Sequence, residues 1–314
     1  IGIAVDHTEM LITTGGSEAI LFALMSTLDP GDEVIIPEPF YANYNSIASI
    51  VGINIKPITT SVEEGFHLPE RDSIETLIGK RTKAILICSP NNPTGTVLRK
   101  DEMKMITDVA CENDLWLFTD EVYREFVFDG GECSSFLEFE YAHDRIAVAD
   151  SISKRFSCCG ARIGFIITKN KELYDTIWKF GMARLCPPTI EQYGATEGFR
   201  RRDEFLPTMI DEYQKRRDIV YEEIQSMDGL FTLKPEGAFY TVVKLPVNDS
   251  EDFVKWMLND FSLDGKTTML APAAGFYATP GMGKDEARIA YVLKEDNLRD
   301  AMNILKEGLN AYNG

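Results

Sequence analysis

Histidine and tryptophan are scarce in this chain, with three of each among 314 residues. The six cysteines, Cys88, Cys111, Cys133, Cys158, Cys159 and Cys186, show no CxxC spacing, so a zinc site is not expected. Their scatter fits a reducing compartment better than a disulfide framework, and a cytoplasmic location is expected. Basic residues are also short, 32 Lys and Arg against 50 Asp and Glu, a net charge of −18. That balance opposes sequence-independent binding to nucleic acid or anionic lipid, although a few local cations suffice for a small anion. No apolar run approaches the roughly 18 residues of a membrane span, and no basic-then-apolar leader opens the chain. Low-complexity tracts and internal repeats are missing too. The first residue is Ile1 rather than Met, which suggests a trimmed chain.

What is present is a globular composition, 44% apolar and 26% charged, with short β-branched runs alternating with amphipathic ones. "EVIIP" (33–37), "KAILIC" (83–88), "LWLFT" (115–119), "IAVAD" (146–150) and "IGFIIT" (163–168) read as buried strands. Segments 17–28 and 100–114 between them read as helices. The alternation predicts an α/β fold with a mainly parallel central sheet flanked by helices. Beyond about residue 200 the pattern changes to a long helix (204–227), strands at 237–245, 267–271 and 287–293, and helices at 250–261 and 295–312. This predicts a large domain, 1–213, and a smaller C-terminal α+β domain, 214–314.

In open parallel sheets ligands bind beyond the carboxyl ends of the strands, and five stretches there carry chemistry. "ITTGGSEAI" (12–20) sets glycines and Ser17 at a helix start, suited to an anion or simply to a serine cap. "PEPFYANY" (37–44) offers Phe40, Tyr41 and Tyr44 for stacking or for core packing. Asn92 in "SPNNPTG" (89–95) is a candidate donor, or plain turn chemistry. "TDEVY" (119–123) ends a strand on Asp120, a carboxylate that needs a cationic partner if buried, with Tyr123 three residues on. "SISKRFSCCGARIGF" (151–165) adds Ser151, Ser153, Lys154 and Arg162.

Each stretch has an ordinary reading, but together they describe one ligand. It has a phosphate for Gly16, Ser17, Ser151 and Arg162, and a flat ring for Tyr41. A ring oxygen would face Asn92 and Tyr123, a protonated ring nitrogen Asp120, and an aldehyde Lys154. That is pyridoxal 5′-phosphate. With "PEGAFY" (235–240) and "ARIAYV" (287–292), the motifs run in order over nearly the whole chain. As a set they resemble the class I, fold type I, pyridoxal-phosphate-dependent aminotransferases of the aspartate and aromatic branch. The resemblance implies that Lys154 holds the cofactor as a Schiff base, Asp120 holds the pyridinium nitrogen, and Tyr123 and Asn92 bind the phenolic oxygen. Tyr41 would stack on the ring; Ser151, Arg162 and the Ser17 and Glu18 amides would hold the phosphate, and Arg288 the substrate α-carboxylate.

It further implies amino-acid and 2-oxo-acid substrates, a homodimer, and a ping-pong reaction in which Lys154 moves a proton. Two departures stand out. Tyr41 occupies a position where many relatives carry tryptophan, and the substantial segment that family members carry before "TTGGSEA" is not in this sequence. That segment supplies a glycine near the substrate carboxylate and a tyrosine reaching the neighbouring subunit's phosphate. Aspartate is the expected donor, then aromatic amino acids. The alternatives are a carbon–sulfur β-lyase on the same scaffold and a non-catalytic aminotransferase-like sensor domain.

Overall fold

Seven strands build the main sheet of the computed structural model, which describes residues 2–314; Ile1 lies outside the described residues. They are β1 (Met10–Thr13), β2 (Glu33–Glu38), β3 (Asn54–Thr59), β4 (Thr82–Cys88), β5 (Trp116–Asp120), β6 (Ile146–Ser151) and β7 (Gly164–Thr168). Their order is β1-β7-β6-β5-β4-β2-β3. Every pair from β6 to β3 is parallel, while β7 runs antiparallel to both β6 and β1. The helices are α1 (Gly16–Thr27), α2 (Asn43–Val51), α3 (Arg71–Glu75), α4 (Lys100–Glu112), α5 (Ile152–Arg155), α6 (Lys171–Arg184), α7 (Thr189–Arg200), α8 (Arg202–Gln225), α9 (Ser250–Asn259) and α10 (Glu295–Asn313). None of the described helices is long and apolar enough to cross a membrane.

The near-continuous apolar runs of the strands follow from burial on both faces. Side chains alternate across a strand, so Val34, Ile36, Leu86, Phe118, Ala147 and Ile166 meet one helical layer. Ile35, Ile85, Ile87, Leu117, Val148 and Ile167 meet the other. A third core gathers the C-terminal elements, with Tyr123, Phe126 and Phe128 packed among residues of α8, α9 and α10.

The α/β architecture and mainly parallel sheet expected from the sequence are observed, as is a small antiparallel C-terminal sheet. That sheet comprises β8 (Tyr240–Lys244), β10 (Glu286–Ala290) and β9 (Ala271–Pro272). The expected strand at 267–271 shrinks to this two-residue β9. Thr267 and Thr268 instead donate their hydroxyls to the Met257 and Ala301 carbonyls, at 2.7 and 2.9 Å, tying the segment to helices. The expected strand 237–245 starts only at Tyr240, because the Gly237 and Ala238 amides bond Gly95 and Phe126 outside the sheet. Strand 287–293 stops at Ala290. The sequence pattern marks neither strands β1 and β3 nor helices α2, α3, α5, α6 and α7.

The topology fixes where chemistry gathers. Strands β2, β4, β5 and β6 all end at one edge of the sheet, delivering Glu38, Cys88, Asp120 and Ser151 there. Because β7 runs the other way, its beginning lies at that edge, with Gly164 opposite both Ser151 and Thr13. Arg162 and the glycines before α1 therefore arrive at the same place.

Candidate active site

A cavity of about 280 Å³ opens at this edge, and every residue expected to touch the cofactor or substrate lines it except Glu18. Glu18 turns back: its Oε2 accepts from the Thr14 amide at 2.8 Å and faces Arg184 Nε at 3.1 Å. Only its backbone amide remains for the helix-start role assigned to it.

One end of the cavity is built to receive an anion. Gly15 has φ +91°, and a Cβ there would stand 2.3 Å from Arg162 Nη2. A Cβ on Gly164 would meet the Gly15 carbonyl carbon at 2.4 Å. Only glycines let the β1–α1 turn, the β7 start and the guanidinium close up this tightly. Arg162 donates to the Cys159 and Thr14 carbonyls, at 2.9 and 3.0 Å, which aims its fork along the cavity edge where Gly16 and Ser17 open α1. Ser151 caps α5, its hydroxyl accepting from the Ser153 amide at 3.3 Å. A helix start with free N–H groups, hydroxyls and a guanidinium together suit a phosphate.

At the floor Asp120 is 6% exposed. Its Oδ2 accepts from the Tyr44 hydroxyl at 2.7 Å and its Oδ1 from the Val122 amide at 3.3 Å. Among the described residues no cation comes within ion-pair reach of it. Burial therefore pushes its carboxyl up to about 6, against the Tyr44 and Val122 bonds, with Asp150 and Glu121 adding repulsion. Lys154 is the complementary case, a cation with no carboxylate partner among the described residues. Its Nζ lies 5.8 Å from the ring centres of both Tyr123 and Phe239. The flanking residues are rigidly held. Asp150 accepts from the Ser151 amide at 2.6 Å and from Arg155 and Arg124 at 2.7 and 3.0 Å, and Arg155 reaches Glu125 at 2.7 Å.

The opposite wall comes from the C-terminal unit. Arg288 on β10 lies over the Tyr240 and Phe276 rings, 4.5 and 5.0 Å from their centres, and donates to Asn92 Oδ1 at 3.0 Å. That bond leaves the Asn92 Nδ2 group as the donor into the cavity. Tyr123, 2% exposed, lies 3.3 Å from the Tyr240 hydroxyl. Burial raises the Tyr123 hydroxyl well above the usual phenol range, and the neighbouring Tyr240 adds to it. Tyr41 stands at the rim, 36% exposed and edge-on to Tyr44 at 5.7 Å. The sequence offers Tyr44 only for stacking or core packing and assigns no role to Cys88, Cys159 or Tyr240, yet these three line the cavity and the Tyr44 hydroxyl holds Asp120. For Tyr44 the available signal was its place in the aromatic run after β2; for Cys88, its place at the end of β4.

An anion cradle, a buried carboxylate without a cation and a cation without a carboxylate fit pyridoxal 5′-phosphate, whose charges are the complements of these groups. The fold and this site are those of a pyridoxal-phosphate-dependent aminotransferase. Comparison with known proteins agrees, since the family Aminotransferase class I and II matches residues 2–305. The chain belongs to this family, and pyridoxal phosphate is its cofactor. It is 31% identical to aromatic-amino-acid aminotransferase 2 of Thermococcus litoralis, over 98% of this chain and 78% of that protein. It is 30% identical to an aspartate aminotransferase of Sulfurisphaera tokodaii, over 97% of this chain and 76% of that one. Among solved structures, the aromatic aminotransferase from Pyrococcus horikoshii superposes with a TM-score of 0.90 at 29% identity, covering 99% of this chain and 82% of that one. The aspartate aminotransferase from Thermus thermophilus with maleate gives 0.87 at 27%, covering 98% and 78%.

Proposed function

We propose that this aminotransferase takes its amino group from aspartate, with aromatic amino acids next, and passes it to a 2-oxo acid such as 2-oxoglutarate by a ping-pong mechanism. The observation that carries the reading is one cavity holding four ionic groups with no ion-pair partner among the described residues, Asp120, Lys154, Arg162 and Arg288. Aspartate and aromatic donors are supported by the names of the relatives and by the dicarboxylate maleate in the Thermus structure.

When bound, the cofactor supplies an electron sink for the bond broken at the substrate α-carbon. Asp120 would support a proton on the ring nitrogen, and the Tyr44 bond holds the carboxylate in place for it. Asn92 Nδ2 and the Tyr123 hydroxyl would donate to the ring oxygen. Arg162, Ser151, Ser153, Gly16, Ser17 and the Glu18 amide would hold the phosphate, and Tyr41 would cover the ring. Arg288 would present its fork to the α-carboxylate, its guanidinium held 4.5 and 5.0 Å from the Tyr240 and Phe276 ring centres. Lys154 Nζ takes the proton from the α-carbon and returns it, as general base and then acid. Its lack of a carboxylate partner leaves it free to do so.

The same proposal covers a division near residue 213 into a cofactor-holding domain, 1–213, and a small domain, 214–314, and a cytoplasmic homodimer. Met182, Leu185, Ile190 and Tyr193 on and between α6 and α7 are exposed apolar side chains that support pairing. A panel of amino donors against 2-oxoglutarate tests the reading. Transfer from aspartate or an aromatic donor is expected. Release of pyruvate and thiol from cystathionine without transfer would replace it with the β-lyase, and cofactor binding without turnover would replace it with a sensor.

A further inference from the structure

Glu38 ends β2 and is fully buried, at 0% exposure, with no cation within ion-pair reach among the described residues. Four donors converge on its carboxylate. Oε2 accepts from the Ala278 and Thr279 amides at 2.8 and 3.0 Å, and Oε1 accepts from the Thr279 and Thr59 hydroxyls at 2.5 and 3.1 Å. A buried carboxylate is tolerated only when charged hydrogen bonds replace its water. Here two successive backbone N–H groups and a hydroxyl of one turn supply most of them. Only an acceptor satisfies all four; a glutamine amide would point its own N–H at a donor.

The turn that Glu38 grips belongs to the C-terminal unit, whereas Glu38 opens the segment carrying Tyr41. Two residues on, the Phe40 amide donates to the Phe276 carbonyl at 2.9 Å. The Phe276 ring lies 5.0 Å from the Arg288 guanidinium. Immediately before the turn, the Tyr277 hydroxyl donates to Glu286 Oε2 at 2.5 Å, and Glu286 stands two residues before Arg288 on β10. Gly283 leaves room for the Tyr277 ring, since a Cβ there would be 2.5 Å from it. The carboxylate thus joins the Tyr41 wall of the cavity to the Phe276–Arg288 wall.

We propose that Glu38 is a positioning residue for substrate: by holding the Ala278–Thr279 turn it fixes Phe276 and Arg288 at the spacing that receives the substrate α-carboxylate. This rests on the substrate role assigned to Arg288 above. Glu38 bonds none of the groups assigned to the cofactor directly and reaches Asn92 only through Arg288, so its removal falls on substrate binding more than on cofactor binding.

Glu38→Gln and Thr279→Val test this in the full chain loaded with pyridoxal phosphate. Glu38→Gln is expected to raise KM for both amino donor and oxo acid roughly tenfold, the scale of a lost charged hydrogen bond. The cofactor dissociation constant should move by a clearly smaller factor than KM, because the link to Asn92 is indirect. Thr279→Val, which removes one donor of four, should move KM the same way by a smaller factor, and it serves if Glu38→Gln does not fold. Calorimetric affinity for maleate, an unreactive dicarboxylate, gives the same comparison without turnover. Equal KM and equal maleate affinity in wild type and variants would overturn the proposal. So would a parallel loss of cofactor and substrate affinity, which would make Glu38 a general structural residue. A wild-type chain that binds maleate but transfers no amino group, with weaker maleate binding in Glu38→Gln, would sink the functional reading and support this one.

Discussion

Replacing Asp120 by asparagine should stabilise the cofactor-free protein and disable the loaded one. In the free protein the carboxyl is raised from its ordinary 3.8 to about 6, chiefly by burial. Between those two values the folded chain binds a proton that the unfolded chain has released. This group therefore opposes folding above about pH 6, and the opposition fades as the pH falls toward 4. At about 1.36 kcal/mol per pH unit the rise is worth about 3 kcal/mol at pH 8. Asparagine carries no charge and keeps the Tyr44 partner, seen at 2.7 Å. It loses at most the longer Val122 bond, seen at 3.3 Å, a cost of about 1 kcal/mol. Urea unfolding of apo Asp120→Asn should show a gain of about 2 kcal/mol over wild type at pH 8, crossing zero between about pH 5 and 4 and reversing to a loss of at most about 1 kcal/mol below that. With cofactor the order reverses: asparagine cannot sustain the charged ring nitrogen, and turnover should fall by about 10² or more, as for loss of one electrostatic catalytic group. A stability difference that is independent of pH, or an apo variant less stable than wild type at pH 8, would refute the electrostatic argument.

Lys154→Ala should abolish turnover and the absorbance of lysine-bound cofactor, while the folded state survives, because the side chain makes no ion pair among the described residues; undiminished transamination is the contrary result. Gly15→Ala forces a Cβ to within 2.3 Å of Arg162 Nη2 at φ +91°. It should weaken cofactor binding about tenfold or more, from strain and guanidinium displacement together, as read by cofactor titration. His67 is held up at about 9 by its hydrogen bonds to Glu102 and Glu236, against its burial. Its stabilising contribution is complete below about pH 6.5 and is lost as the pH rises through about 9. The urea midpoint of wild type should therefore exceed that of His67→Gln at pH 7 and converge with it by pH 10, and a constant gap would count against the pairing.

Much of the site was legible because its residues stand at predictable places. A strand run that ends in Asp120 or Ser151, or a glycine pair before Ser17, marks a strand end or a helix start without any knowledge of neighbours. Strand periodicity carried the buried strands β2, β4, β5, β6 and β7, since burial on both faces leaves near-continuous apolar runs. It could not carry β1, four residues long, or β3, an edge strand with Pro57 and a largely polar, half-exposed pattern. The strand expected at 267–271 failed because threonine favours strands by composition, while hydroxyl bonds to two helices won locally.

The amino-acid sequence by itself determined which chemistry is available: a lysine, a carboxylate, an arginine fork and glycine turns, each at the end or the beginning of a strand or helix. Local geometry decides such matters, and local geometry is written in neighbouring residues. Only the tertiary structure decided which of these groups lack partners. That Asp120 meets Tyr44 and no cation, that Arg288 orients Asn92, and that Glu38 reaches across to Thr279 are contacts between residues 76, 196 and 241 positions apart. Burial and pairing across such distances depend on how the sheet orders its strands, and no local pattern encodes that.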